Sequence, residues 1–181
     1  MGIDRRLFLT GACCAGAGFA TGMMLPGGTE AVTPPPGAGA PGFARERFLS
    51  HWNCTQAVLE ALAPQAGLAP GEITRLTTPF AAGMWNGMTC GAVTGAVMAI
   101  GMRFGRTSDG DSSATEKTKM IMRRYMAAVK KEFGALNCSE LLGTDMATEE
   151  GMKLAAAQGL FKSRCPALVE TAVREALKEM A

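Results

Sequence analysis

The chain has one histidine among its 181 residues, and several patterns common in catalysis are missing. It has no G-x-S-x-G nucleophile turn, no phosphate-binding glycine-rich loop and no pair of carboxylates on an apolar helix face. Hydrolytic and acid–base catalysis depend on such groups being within reach of one another. The sequence therefore favours a binding or electron-transfer module over an enzyme. In an enzyme, the active group would be the thiolate of Cys54 or Cys90.

The close cysteine spacings of common metal motifs are also missing. No C-x-x-C pair occurs, so neither a zinc ribbon nor a ferredoxin-type ligand run is indicated. No C-x-x-C-H sequence is present for covalent haem attachment. The net charge is only +2, from 18 basic and 16 acidic residues, so nothing points to nucleic acid or an anionic membrane surface as a partner.

The N-terminus carries a different signal. Arg5 and Arg6 precede a charge-free, Gly/Ala-rich stretch over residues 7–28, which resembles a bacterial twin-arginine export signal. We predict a signal segment over residues 1–31, a Pro/Gly-rich linker over 32–42 and a folded domain over 43–181. The expected location is the periplasm or the outer face of the cytoplasmic membrane. A membrane-anchoring helix and a lipoprotein signal ending at Cys13 are the alternatives.

Hydrophobic periodicity in the body of the chain is helical throughout, with no convincing strand pattern. The prediction is an all-α bundle of about five to seven helices. The expected helical segments span residues 43–63 with a possible break before Cys54, then 70–80, 89–104, 113–133, 137–142, 148–158 and 166–180. The segment 89–104 is apolar nearly all round and is expected to be central, with Gly91, Gly95 and Gly101 allowing close approach of its neighbours.

Four cysteines are predicted to stand at helix starts: Cys54, Cys90, Cys138 and Cys165. Asn53, Thr89 and Asn137 are helix-cap types that precede three of them, and Pro166 follows the fourth in a first-turn position. The unpaired amides and the dipole at a helix N-terminus favour negative charge, which lowers the pKa of a thiol held there. The pattern indicates sulfur chemistry.

These cysteines also lie in a recognisable pattern. The sequence C-G-A-V-T-G spans residues 90–95, N-C-T-Q-A-V spans 53–58, and L-L-G over 141–143 follows the third cysteine. Over residues 44–175 the chain resembles the redox-associated family named for its C-GCAxxG-C-C pattern. The resemblance implies a redox or cluster-binding role for the four cysteines. Members of that family look like redox-active proteins, some exported by the twin-arginine route and some encoded beside oxidoreductases. The family is related to the non-haem part of split-Soret cytochromes, where an iron–sulfur centre occurs.

Three interpretations of the four thiols remain open. They bind an iron–sulfur cluster, they form two disulfides, or one pair is a dithiol that cycles between reduced and oxidised forms. We favour the cluster, with all four cysteines as ligands and electrons passing to a membrane or periplasmic oxidoreductase. The twin-arginine export machinery is the other expected partner.

Three neighbouring features extend this prediction. His51 lies three residues before Cys54, so it is either a further ligand or proton partner or an ordinary packing residue. Met84 and Met88 are the best candidates for a copper(I) site, although core packing accounts better for most of the methionines. Trp85 and Asn86 are expected to shield or orient the cysteine site.

Overall fold

Eight α-helices make up most of residues 39–181, the part of the chain that the computed structural model describes. They are α1 (Ala40–His51), α2 (Cys54–Ala66), α3 (Ile73–Thr77), α4 (Gly91–Phe104), α5 (Ser112–Phe133), α6 (Cys138–Leu142), α7 (Glu149–Ala157) and α8 (Leu160–Met180). This described part contains no strand, only an isolated antiparallel bridge between Thr89 and Asn137. The all-α prediction is confirmed, with one helix more than the expected five to seven.

The extra helix arises because the predicted segment 43–63 is divided. Trp52 adopts a left-handed conformation (φ 58°) and its N–H donates to the carbonyl of Phe48, which ends α1. Asn53 then caps α2, because its side chain accepts the N–H of Gln56 at 3.0 Å. Cys54 is thus the first residue of α2, as the sequence predicts.

The first helix begins at Ala40, three residues before the predicted domain start, with Pro41 in its first turn. The predicted signal segment and residues 32–38 of the predicted linker lie outside the described residues. Among the helices of residues 39–181, none is long and apolar enough to cross a membrane.

The core forms where α2, α4 and α8 pack together, with α1 against α2 and α8, and α5 against α4 and α8. Helix α4 is central, as predicted, and Ala96 and Ile100 on it are fully buried. Gly95 allows α4 to pack closely on the backbone of α2, because an added Cβ would lie 2.6 Å from the backbone oxygen of Thr55. Gly101 has no neighbour within 4 Å of such a Cβ, so the predicted close approach is wrong there.

The predicted helix over residues 113–133 begins one residue earlier, because α5 is capped by Asp111, whose carboxylate accepts the N–H of Ala114 at 3.0 Å. The predicted start of the last helix is wrong. The last helix begins at Leu160, so Cys165 is its sixth residue and not a helix-start cysteine. Pro166 lies inside α8, where it leaves the carbonyl of Lys162 without its helical N–H partner.

Candidate cysteine redox site

Three of the four cysteines occupy helix starts, as predicted. Cys54 and Cys138 are the first residues of α2 and α6, and Cys90 is the residue that precedes α4. Cys165 reaches the same region from the second turn of α8. All four are free thiols, three of them buried and Cys165 half-buried.

The thiols of Cys54 and Cys90 are neighbours, and each shifts the pKa of the other. The pair requires a glycine at the start of α4, because a Cβ on Gly91 would collide with the sulfur of Cys54 and the hydroxyl of Thr55. The hydroxyl of Thr55 also donates to the carbonyl of Phe80 at 3.0 Å, which ties the start of α2 to the segment around Phe80.

Backbone pairing brings the third cysteine beside this pair. The N–H of Cys90 donates to the carbonyl of Leu136 at 2.8 Å, and the N–H of Cys138 donates to that of Met88 at 2.7 Å. These two bonds flank the Thr89–Asn137 bridge. The start of α6 is therefore held against the start of α4.

The two thiols differ in acidity, and Cys54 has the lower pKa of the two. Hydrogen bonding from the Cys90 thiol lowers the pKa of Cys54 from 9.0 to about 7, against the opposing effect of burial, and the amides of Ala82, Cys54 and Thr55 add to the lowering. The pKa of Cys90 is raised well above 9.0, first by its hydrogen bond to Cys54 and then by burial. Cys54 is thus the first thiolate of the pair to form.

A left-handed turn supplies one of these amides. Ala82, Met84 and Trp85 have φ values of 50°, 60° and 54°, which L-residues with a side chain rarely adopt. Within this turn the N–H of Ala82 points at the sulfur of Cys54. The indole N–H of Trp85 donates to the carbonyl of Thr78 at 3.2 Å. Backbone strain of this kind is typical of functional sites.

The other two cysteines share a cavity of about 300 Å³ with Cys54. Cys138 and Cys165 line its wall, whereas Cys90 is not among the lining residues. Burial, and next the charge of Cys54, raises the pKa of Cys138 to about 12. The pKa of Cys165 is raised by burial, by Cys54 and by Cys138. At neutral pH the site therefore holds one partly ionised thiol and three neutral ones.

The predicted neighbours of the site fall in different places. Trp85 lines the cavity, as expected of a shielding residue, but Asn86 does not. His51 accepts the N–H of Asn53 at Nδ1, and its Nε2 lies 3.6 Å from Glu60, so it belongs to a polar cluster beside the cavity. Met84 and Met88 are exposed and line no part of the cavity.

A single metal ion does not fit the arrangement in residues 39–181, because no three His, Cys, Asp or Glu side chains there are placed around one point. The sulfurs are instead grouped as the Cys54–Cys90 pair and two further thiols on the cavity wall.

Two features of the site were not predicted. Gly83 and Gly87 indicate a loop here, but no sequence signal indicates the left-handed conformations of Ala82, Met84 and Trp85. Tyr125 is fully buried, and its hydroxyl has no hydrogen-bond partner. Burial, and next the charge of Cys90, raises the pKa of this phenol well above 10.0. Tyr125 is the only tyrosine of the chain and belongs to no recognisable motif, so the sequence gives no reason to place it near Cys90.

The family model described as "Putative redox-active protein (C_GCAxxG_C_C)" matches residues 52–179. Comparison with curated proteins gives no match, and neither does comparison with solved structures. The matched region contains all four cysteines of the site and every helix from α2 to α8, so the chain belongs to the redox-active C_GCAxxG_C_C family.

Proposed function

We propose that the protein is a thiol–disulfide redox protein in which Cys54 is the attacking cysteine and Cys90 the resolving one. The observation that carries this proposal is the neighbouring pair of thiols, of which Cys54 borders the cavity and has a pKa lowered to about 7. A thiol with a pKa near ambient pH is the best attacking group, because it combines a large thiolate fraction with retained nucleophilicity. Only Cys54 of the two borders the cavity, so an oxidant reaches it first.

The exchange follows from these positions. The Cys54 thiolate attacks one sulfur of a partner disulfide, a mixed disulfide forms, and the other partner sulfur leaves as a thiolate. Cys90 then gives up its proton and attacks the sulfur of Cys54, which releases the second partner sulfur. The pair ends as a disulfide, and the partner has gained two electrons as a dithiol.

The small uncharged reagent 2-hydroxyethyl disulfide tests this exchange. The reduced protein should lose two thiols per chain, with a transient mixed disulfide on Cys54. Cys54→Ser should abolish the reaction, and Cys90→Ser should trap the mixed disulfide. Cys165→Ser is the matched control, since it removes a thiol outside the pair and should leave the reaction intact. A mixed disulfide that forms on Cys138 or Cys165 in place of Cys54 refutes the assignment.

A second candidate is an iron–sulfur centre held by Cys54, Cys90, Cys138 and Cys165, which passes electrons to a membrane or periplasmic oxidoreductase. One observation favours it over the dithiol, namely that Cys138 and Cys165 line the same cavity as Cys54 although the charge of Cys54 raises the pKa of both. Bound iron would offset that repulsion and supply one-electron transfer. The amides at the starts of α2, α4 and α6 are suitably placed to hydrogen-bond its sulfurs.

Anaerobic purification separates the two candidates. The cluster requires visible charge-transfer absorption together with iron and acid-labile sulfide, and these should disappear in Cys138→Ser and in Cys165→Ser. The dithiol requires a colourless protein in which both of these variants keep the two oxidisable thiols. Two disulfides in the freshly isolated protein, resistant to mild reductants, would indicate a structural role instead.

We also propose export by the twin-arginine route, supported by Arg5 and Arg6 ahead of the charge-free stretch. The test is the distribution of the protein between the cytoplasmic and periplasmic fractions of a host that has this machinery. Replacing both arginines with lysine should retain the protein in the cytoplasm. Unchanged export of that variant, or export in a host without the machinery, contradicts the proposal.

A further inference from the structure

The cavity beside the cysteine pair has an apolar wall. Apart from the thiols of Cys54, Cys138 and Cys165, every lining side chain is aliphatic, aromatic or a thioether. No charged side chain and no side-chain amide or hydroxyl faces it. A charged or sugar-like ligand would lose its hydration there without compensation, so the occupant that fits is uncharged and apolar.

The entrance is aromatic. Trp52 and Trp85 line the cavity while remaining 48% and 54% exposed. Both rings are held in place, because Trp52 packs edge-on against Phe48 with centroids 5.7 Å apart and the indole of Trp85 is hydrogen-bonded to Thr78. Preformed aromatic walls favour a planar ring that stacks between or against them.

A shallower groove of about 250 Å³ continues from the entrance. It shares Trp52 and Phe161 with the cavity and extends past Ala156 and Gly159 to Lys162. The inner cavity, at about 300 Å³, is at the small end of ligand pockets and has room for a molecule of one or two rings. The groove would accommodate a substituent on that ring.

We propose that the cavity binds an uncharged quinone-type ring, which accepts electrons from the Cys54–Cys90 pair. The inference rests on the proposed dithiol function. An oxidant in this cavity must be planar, apolar and able to take two electrons and two protons, which describes a quinone. In the reaction both S–H bonds break and the Cys54–Cys90 bond forms. The two electrons and two protons go to the quinone oxygens, which gives the hydroquinone.

The intrinsic fluorescence of the protein reports binding directly, because its only two tryptophans both line the cavity. The probe is 2,3-dimethyl-1,4-naphthoquinone, whose methyl groups block addition of thiols to the ring. We expect saturable quenching in the full-length protein. With the reduced protein we expect one hydroquinone formed for each Cys54–Cys90 disulfide.

Two substitutions in the cavity and one control substitution test where the quinone binds. Ala81→Leu places a larger side chain in the cavity and should weaken binding at least ten-fold. Ala167→Leu makes the same change on an exposed position of α8 and should have no effect. Trp85→Ala removes a mostly exposed wall and should weaken binding without harming the fold, as read from the fluorescence of Trp52.

The outcomes separate this inference from the function on which it rests. Quenching that does not saturate, or that is equal in Ala81→Leu and the unaltered protein, overturns the quinone site even where 2-hydroxyethyl disulfide still oxidises the pair. Saturable quenching that Ala81→Leu weakens, in a protein whose Cys54–Cys90 pair no disulfide or quinone oxidises, supports the site as a binding site. It refutes the electron transfer and the dithiol function.

Discussion

Replacing Cys90 with alanine removes the thiol that lowers the pKa of Cys54 most strongly. The pKa of Cys54 should rise from about 7 toward 9.0. At pH 7 its thiolate fraction then falls from about a half toward about 1%, a loss of up to about 50-fold. A more basic thiolate is intrinsically more reactive. With a Brønsted coefficient of about 0.45, an increase of two pKa units raises the rate constant of the thiolate about eight-fold. The net decrease in alkylation rate at pH 7 is up to about six-fold.

The assay is the rate of iodoacetamide modification of Cys54 from pH 5 to pH 10, with the modified residue identified by mass spectrometry. The midpoint of the rate profile should move upward by up to about two units in Cys90→Ala. Cys90→Ser is the matched control, because its hydroxyl still donates a hydrogen bond to Cys54, and its midpoint should remain close to that of the unaltered protein. Identical midpoints in Cys90→Ala and the unaltered protein would refute the reasoning.

Three further predictions concern stability. Gly91→Ala should lower the free energy of unfolding measured in urea by about 1–3 kcal/mol, because the added Cβ meets Cys54 and Thr55. Gly101→Ala has open space around its Cβ and should raise the free energy of unfolding by about 0.5–1 kcal/mol. Equal effects of the two substitutions would contradict the packing argument. Burial raises the pKa of Glu60, but its interactions with His51, Arg47 and Gln56 outweigh burial and bring the pKa from 4.5 to about 2. Stability from this depressed pKa is present above pH 4.5 and is lost as the pH falls toward 2, by about 2 kcal/mol after solvent screening. In Glu60→Gln the free energy of unfolding should therefore fall less between pH 4.5 and pH 2, whereas Glu46→Gln, at an exposed position, should leave this decrease unchanged. An unchanged decrease in Glu60→Gln would show that Glu60 is not its cause. Met84→Gly relieves a left-handed conformation and should stabilise the protein by about 1 kcal/mol in thermal unfolding, whereas a decrease would show that the turn is unstrained.

The sequence predicts those parts of the site that depend on local rules. Asn53 is a strong cap type, so it correctly places Cys54 at a helix start. The apolar pattern of residues 91–104 correctly makes α4 the central helix, and Gly91 is a close-approach position as expected. These features follow from side chains within a few residues of one another.

The parts that sequence patterns miss depend on tertiary contacts. Pro166 is typical of a first helical turn, yet α8 begins six residues before it. Ala82, Met84 and Trp85 avoid left-handed backbone in isolation, and only the surrounding structure imposes it. The contact between Cys54 and Cys90 spans 36 positions of sequence and follows from the packing of α2 on α4.

The most direct test of the central claim is disulfide mapping after limited oxidation. The fully reduced protein is treated with one equivalent of a two-electron oxidant, the remaining thiols are blocked, and the cross-linked peptides are identified by mass spectrometry. The account predicts a Cys54–Cys90 disulfide with Cys138 and Cys165 still reduced. A first disulfide between Cys138 and Cys165, or between either of them and Cys54, would contradict it.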